Sequence, residues 1–483
     1  MKRCLKNCVL LLPWYFGFVD LSAHVKSVDI DIDYHVLYDT AHLFHQVKVP
    51  EAFLTTEVYR DQKLKFGGDV RIGDLTGNGV MDFVIYRGTG DMHDGGGYKP
   101  NFLGAFDFEG NILWHLGEKS RGKQPGRPGA VAIHDLDADG RTDVICFFVD
   151  ADSSEYPDSF KDAEILLIDG ATGRIKRRAA PPELTVLSGS GRQWAHQRIK
   201  IANLRGNPTP QDFVVKLGHA VLAFDDELNV LWTYEMPAAF DDPDHEIVVS
   251  YIPTVGDING DGRDAVFGGY YLLDHDGTVL WESILGPHMD SVVIAPWDDN
   301  TPRAIGSGGG FVLDEEGEII MEIGVDKVPH GQELRVGRFD PGVPSPQLLI
   351  RYNGHRPDLM LVDNNGEIVR RFQIYDSPNN TGLELVYWNG FDQPVLYHNG
   401  RHIYNGIGEV AAVLDITEPV GPFRRAWYHS IPVNLTDNDR EELVVWNPYS
   451  DVIYIFGNEP VSPETIWKSF IPGPRQYNPR LMD

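Results

Sequence analysis

Three cysteines in 483 residues leave little scope for disulfide chemistry. Cys4 and Cys8 fall in an N-terminal stretch that reads as removable, so Cys146 alone would remain after processing. That excludes an intrachain disulfide and a zinc site built on clustered cysteines. Basic residues are also scarce, with 42 Lys and Arg against 71 Asp and Glu and a formal net charge of −29. Nucleic acid and anionic membrane both demand basic surface, so neither is an expected partner. Beyond the N-terminus no apolar run approaches a bilayer span. Helical periodicity is nearly absent. There is no phosphate-binding loop, no Gly-x-Ser-x-Gly elbow and no His-Glu-x-x-His. The glycine run at Gly306–Gly310 has no helix after it, which argues against a dinucleotide site.

At the N-terminus, Lys2, Arg3 and Lys6 precede an apolar stretch from Cys8 to Val19, and small residues end at Ala23. This pattern predicts an export signal over residues 1–23, a single domain over 24–483, and a secreted or periplasmic location. A monomer is expected.

Fifty glycines, 32 prolines and 11% aromatic residues suit many short strands joined by tight turns. The strands repeat. "HDLDADGRTDVICFF" from His134 has companions in "GDLTGNGVMDFVIY" from Gly73 and "GDINGDGRDAVFGG" from Gly256. Weaker copies start at Ala202, Gly337 and Asn434, and two that have lost the acids start at Ala295 and Tyr387. In each unit one apolar run leads into the polar loop and a second follows. A hairpin around "EG", "DG" or "NG" then supplies two more, as in "YYLLDHDGTVLWESI". Four strands per unit over such a period predict an all-β propeller of four-stranded blades. Eight units are counted, or seven if a degenerate copy is not a blade. The alternating segment Ser27–Tyr38 is expected to supply the last blade's missing strand.

Asp135, Asp137, Asp139, Gly140 and Asp143 fit positions 1, 3, 5, 6 and 9 of a calcium loop. Cys146 stands where an EF-hand carries its bidentate glutamate, and strands flank the loop, so this is no EF-hand. Calcium is the expected ion, with Asp74, Asp257, Asn259 and Asp261 as ligands in the sister loops. The alternative is an Asp-rich turn whose carboxylates cap backbone amides.

If the aspartate loops occupy one face of the ring, the opposite face is built just before each innermost strand and just after each second strand. The first set contains Arg127, His196, Arg198, Tyr251, His288 and His330. The second contains His93, Lys216, His219 and Arg351. So many cationic or ionisable groups on one face of an acidic chain point to an anionic ligand. Arg127, Lys216, His219, His288, His330 and Arg351 are candidate substrate-binding residues. His134 stands apart, an imidazole where the other units carry Gly73, Ala202, Gly256 or Gly337.

The array of "GDxNGDG" loops resembles FG-GAP-type repeats. The segments "RPGAVAIHDLDADG", "WAHQRIKIANLRGN" and "RQYNPRLMD" resemble the propeller polysaccharide lyases that act on rhamnose–uronate linkages. These are the rhamnose–glucuronate lyases and, more distantly, the ulvan and rhamnogalacturonan lyases. The resemblance implies calcium and a central pocket lined by histidine and arginine. It also implies β-elimination on an acidic glycan containing rhamnose and a uronic acid. His134, Arg198, His196 and His93 are its catalytic candidates, with Tyr251 as an alternate base. In that scheme Arg198, helped by Arg127 or His93, neutralises the uronate carboxylate, and His134 abstracts the C5 proton. A non-catalytic carbohydrate- or partner-binding propeller is the alternative. A hydrolase fits less well, since its two carboxylates must flank the bond and the acids here gather in the loops.

Overall fold

A computed structural model describes residues 39–59, 62–89, 99–117, 129–149, 163–186, 198–374, 383–390, 396–399, 401–416, 428–436, 439–460 and 470–480. The expected export signal and the Ser27–Tyr38 strand lie outside these residues, as do His93, Arg127 and His196.

The described residues form a succession of antiparallel sheets. The first comprises Asp69–Gly73, Asp82–Thr89, Lys99–Phe106 and Ile112–Leu116, in sequential order. The same up-and-down order repeats in sheets that begin at Val131, Lys200, Thr254, Val292, Glu333, Glu384 and His429. The uniform set of eight four-stranded blades counted in the sequence needs correction. Seven sheets have four strands, whereas the one beginning at Glu384 has five. Its extra strand, Asp39–Thr40, pairs in parallel with Val410–Val413.

The last sheet draws its outer strand from the other end of the chain. His42–Lys48 pairs antiparallel with Val452–Gly457 and supplies the blade's fourth strand. One hydrophobic cluster then joins the first and last sheets, with Ile72, Phe83 and Ile85 against Ile431, Val444 and Trp446. Burying each such side chain contributes about 1.5–3 kcal/mol, so ring closure is an apolar event.

The hairpin turns follow their sequence signals. In Asp107–Asn111 the carboxylate of Asp107 accepts the Asn111 amide at 2.7 Å. Gly110 takes φ +87°, which costs glycine nothing and other residues much. Neighbouring blades meet at these turns. Trp114 packs on Gly173, Trp232 on Gly277 and Trp281 on Gly317, each so close that a Cβ would stand under 3.0 Å from the indole.

The C-terminal segment crosses the ring's inner strands. Its short helix, Pro474–Tyr477, touches the innermost strands of the first, second and last sheets. Gln476 donates to the Pro432 carbonyl at 2.7 Å, and the Asn478 side chain pairs with both backbone groups of Ile201, at 2.8 and 2.7 Å. Arg475 donates to both oxygens of Glu441, at 2.7 and 2.8 Å.

Candidate active site

A repeat position decides which side chains face the axis. Two residues before the start of the polar loop, the innermost strands carry Arg71, Lys200 and Arg335. Basic residues are unusual in otherwise apolar strands, and here three sheets aim them at one centre. Arg480, from the C-terminal segment, joins them. A cavity of about 40 Å³ is lined by Lys200, Thr254, Asp290, Ser291, Arg335 and Arg480, among others. Lys200 and Thr254 open innermost strands and Asp290 and Ser291 immediately precede one, so the cavity lies toward the ends opposite the aspartate loops.

Each cation is anchored differently. Arg71 is neutralised by Asp69 at 2.7 Å and also bonds the carbonyls of Val131 and Gly129, which makes it structural. Arg335 is buried and donates to the carbonyls of Leu334 and Leu383, while its Nε has no partner among the described residues. Lys200 donates to the Pro479 carbonyl at 3.3 Å. Burial, then repulsion from Arg198, Arg480 and Arg71, pushes its ammonium down to about 7. Arg480 is accessible to water yet ringed by protein. Desolvation and Arg335 lower it to about 10.

Asp290, which lines the cavity, sits beside two imidazoles. His330 Nε2 donates to Asp290 Oδ2 at 3.1 Å, and His288 Nδ1 lies 4.0 Å from Oδ1. The rings stack with centroids 4.0 Å apart. The hydrogen bond to Asp290 raises the His330 pKa, whereas desolvation lowers that of His288. The stack therefore holds one imidazole that favours its proton and one that resists it.

The structure divides the sequence candidates. Arg198 and Tyr251 sit just before the innermost strands at the cavity end, and so do His288 and His330. Lys216 is buried with its Nζ 5.8 Å from the Tyr251 ring centre, and desolvation lowers its pKa to about 7. His219 is exposed, 3.9 Å from Asp241. Arg351, expected to bind substrate, is buried in an ion pair with Glu333 at 3.3 Å. His134 lies at the opposite end of its strand. Its Nε2 meets the Pro210 carbonyl at 2.8 Å, its ring packs on Tyr477, and desolvation lowers its pKa. Lys200, Asp290, Arg335 and Arg480 were not singled out from the sequence. The signal was available in the aligned "RIG", "KIA" and "RVG" that end three innermost strands.

Among the described residues two groups could hold a divalent ion: His288, Asp290 and His330, and Asp135, Asp137 and Asp143. In the second group an internal ammonium already lies among the carboxylates, for Lys176 contacts Asp137 at 2.6 Å and Asp143 at 2.9 Å. The loop offers calcium a poor fit. In the sister loops the carboxylates cap amides. Asp74 accepts from Asn78 and Gly79, and Asp257 from Gly260, Asp261 and Gly262. The oxygens of Asn259 and Asp261 accept the amides two residues on.

The chain is similar to rhamnogalacturonan lyases. Over 280 residues it is 22% identical to rhamnogalacturonan endolyase YesW of Bacillus subtilis (strain 168), a stretch covering 48% of this chain and 42% of that protein. Rhamnogalacturonan exolyase YesX of the same organism is 22% identical over 267 residues, with the same coverage. The match thus spans less than half the length of these curated relatives. No protein-family model matches the chain. The crystal structure of YesW superposes with a TM-score of 0.65 at 16% identity, over 86% of this chain and 75% of that one. A Bacillus licheniformis rhamnogalacturonan lyase, PL11, gives 0.65 at 16%, over 86% and 76%. Bap1, a biofilm matrix protein of V. cholerae, gives 0.54 at 12%, over 89% and 92%. These likenesses establish the propeller fold, and the relatives found belong to the group that the sequence motifs resembled more distantly. No helix among the described residues is long and apolar enough to cross a membrane.

Proposed function

We propose that the chain is an exported polysaccharide lyase that cleaves a rhamnose–uronate linkage of an acidic glycan by β-elimination. The observation that carries this reading is the axial cavity, where a lysine with a pKa near neutrality stands among arginines and opposite a carboxylate–imidazole pair. Removing a proton from C5 of a uronate builds negative charge beside an existing carboxylate. Arg335, Arg480 and Arg198 would offset that charge, and their preorganised donors need no rearrangement as it develops.

Lys200 is assigned as the base. An amine titrating near 7 is unprotonated often enough to accept the C5 proton and basic enough to hold it. The C5–H electron pair becomes the C4=C5 double bond as the C4–O4 bond breaks. The imidazolium of His330, kept protonated by Asp290, supplies the proton that O4 needs. Lys200 takes precedence over His134, which is tied to the Pro210 carbonyl at the loop end of its strand.

Incubation with rhamnose-containing acidic glycans, followed by ultraviolet absorbance of the unsaturated uronate, tests the reading. The alternative is a carbohydrate- or partner-binding propeller without catalysis. Retention of such a glycan with no unsaturated product from any of them would favour it.

A further inference from the structure

Every sheet of the ring carries the same irregularity. Where the third strand meets the fourth, pairing slips and leaves one residue of the fourth strand unpaired. The unpaired residue is apolar in seven sheets: Phe44, Leu113, Leu231, Leu280, Ile320, Val369 and Ala411. In the second sheet it is Lys176. A bulge re-aims the side chain it frees, and here the side chain is charged.

Lys176 reaches the most acidic of the polar loops. Its Nζ lies 2.6 Å from Asp137 Oδ2, 2.9 Å from Asp139 Oδ2 and 2.9 Å from Asp143 Oδ1. An ammonium has three N–H donors, and the loop presents three carboxylates to it. The lysine side chain is only 9% exposed and Asp143 not at all, so little water competes. The loop's turn is held by contacts of its own. Asp135 accepts the amides of Asp139 and Gly140 at 3.1 and 3.0 Å, and Gly140 takes the turn at φ +83°. The third sheet uses a related device, since Arg205 Nε meets Asp212 at 2.6 Å at the start of its second strand.

We infer that the Asp135–Asp143 loop is closed by the ammonium of Lys176, which holds the place that a divalent cation would otherwise take. Calcium needs six to eight oxygens at 2.3–2.6 Å. Lys176 blocks that shell sterically, and its positive charge repels a second cation. The inference is independent of the proposed enzymatic activity.

Equilibrium dialysis against calcium followed by metal analysis tests it on the full chain, its Asp137→Asn variant and its Lys176→Met variant. Asp137→Asn should carry the same calcium as the parent, because no ion is lost with that ligand. Lys176→Met should carry one equivalent more, and its melting temperature should rise with calcium by more than the parent's does. Loss of an equivalent in Asp137→Asn would overturn the inference, as would a Lys176→Met protein with no added calcium. If Lys176→Met fails to fold, the Asp137→Asn comparison decides alone.

Discussion

His330 donates to Asp290 across 3.1 Å while its other face carries the stacked ring of His288. The pair joins two neighbouring sheets through residues that immediately precede their innermost strands. It therefore reports on both the integrity of the ring and the protonation of the cavity.

The pH dependence of stability should expose this pair. The folded His330 pKa is raised above its usual 6.5, with the Asp290 hydrogen bond as the largest favourable cause. A raised pKa contributes stability in full below the unfolded value, and that stability is lost as pH rises through the folded one. His288 shifts the opposite way, so the effect must be isolated by substitution. His330→Gln should lower the melting temperature more at about pH 5.5 than at about pH 8.5. An equal loss at both would show that the imidazole is not held protonated.

Lys200 carries the opposite sign. Its folded pKa is about 7 against 10.5 for a free lysine. Between these values the unfolded chain holds the extra proton, so stability rises with pH across the window. Lys200→Met removes a buried cation and should raise the melting temperature. The gain should be largest near about pH 6 and shrink toward about pH 10. A gain that does not change with pH would mean that the ammonium is well solvated.

Arg351 should separate structure from chemistry. Arg351→Met removes the counter-charge of the buried Glu333, which costs about 3–5 kcal/mol. Replacing both members with apolar residues should recover most of that loss. Chemical denaturation of the two variants checks this, and turnover per folded molecule should be nearly unchanged in both.

Much of the ring was legible in the repeats. The "EG" and "DG" hairpins and the polar loops fixed the strand order, because tight turns demand those residues at those spacings. The two ends of the ring were legible too. His288, His330 and Arg198 were assigned to the face opposite the loops, and they precede the innermost strands there. The extra strand at Asp39–Thr40 was not, since two residues carry no periodic signal. Arg351 misled because sequence shows a cation at the correct end of a strand but not the Glu333 that buries it. Lys200 and Arg335 were hidden among apolar neighbours, and only alignment of the repeats brings them into register. Lys176 was invisible for a related reason. It is 33 residues from Asp143 in the chain and reaches the loop only because the fourth strand bulges.

The most direct test of the account is the rate at which the full chain forms unsaturated uronate from a rhamnose-containing acidic glycan, compared with Lys200→Met. Removing a general base costs about 10²–10⁴-fold. The account predicts steady product from the parent and a loss of that order in a variant at least as stable. Undiminished product from Lys200→Met would contradict the assignment of the base, and no product from the parent on any such glycan would contradict the lyase itself.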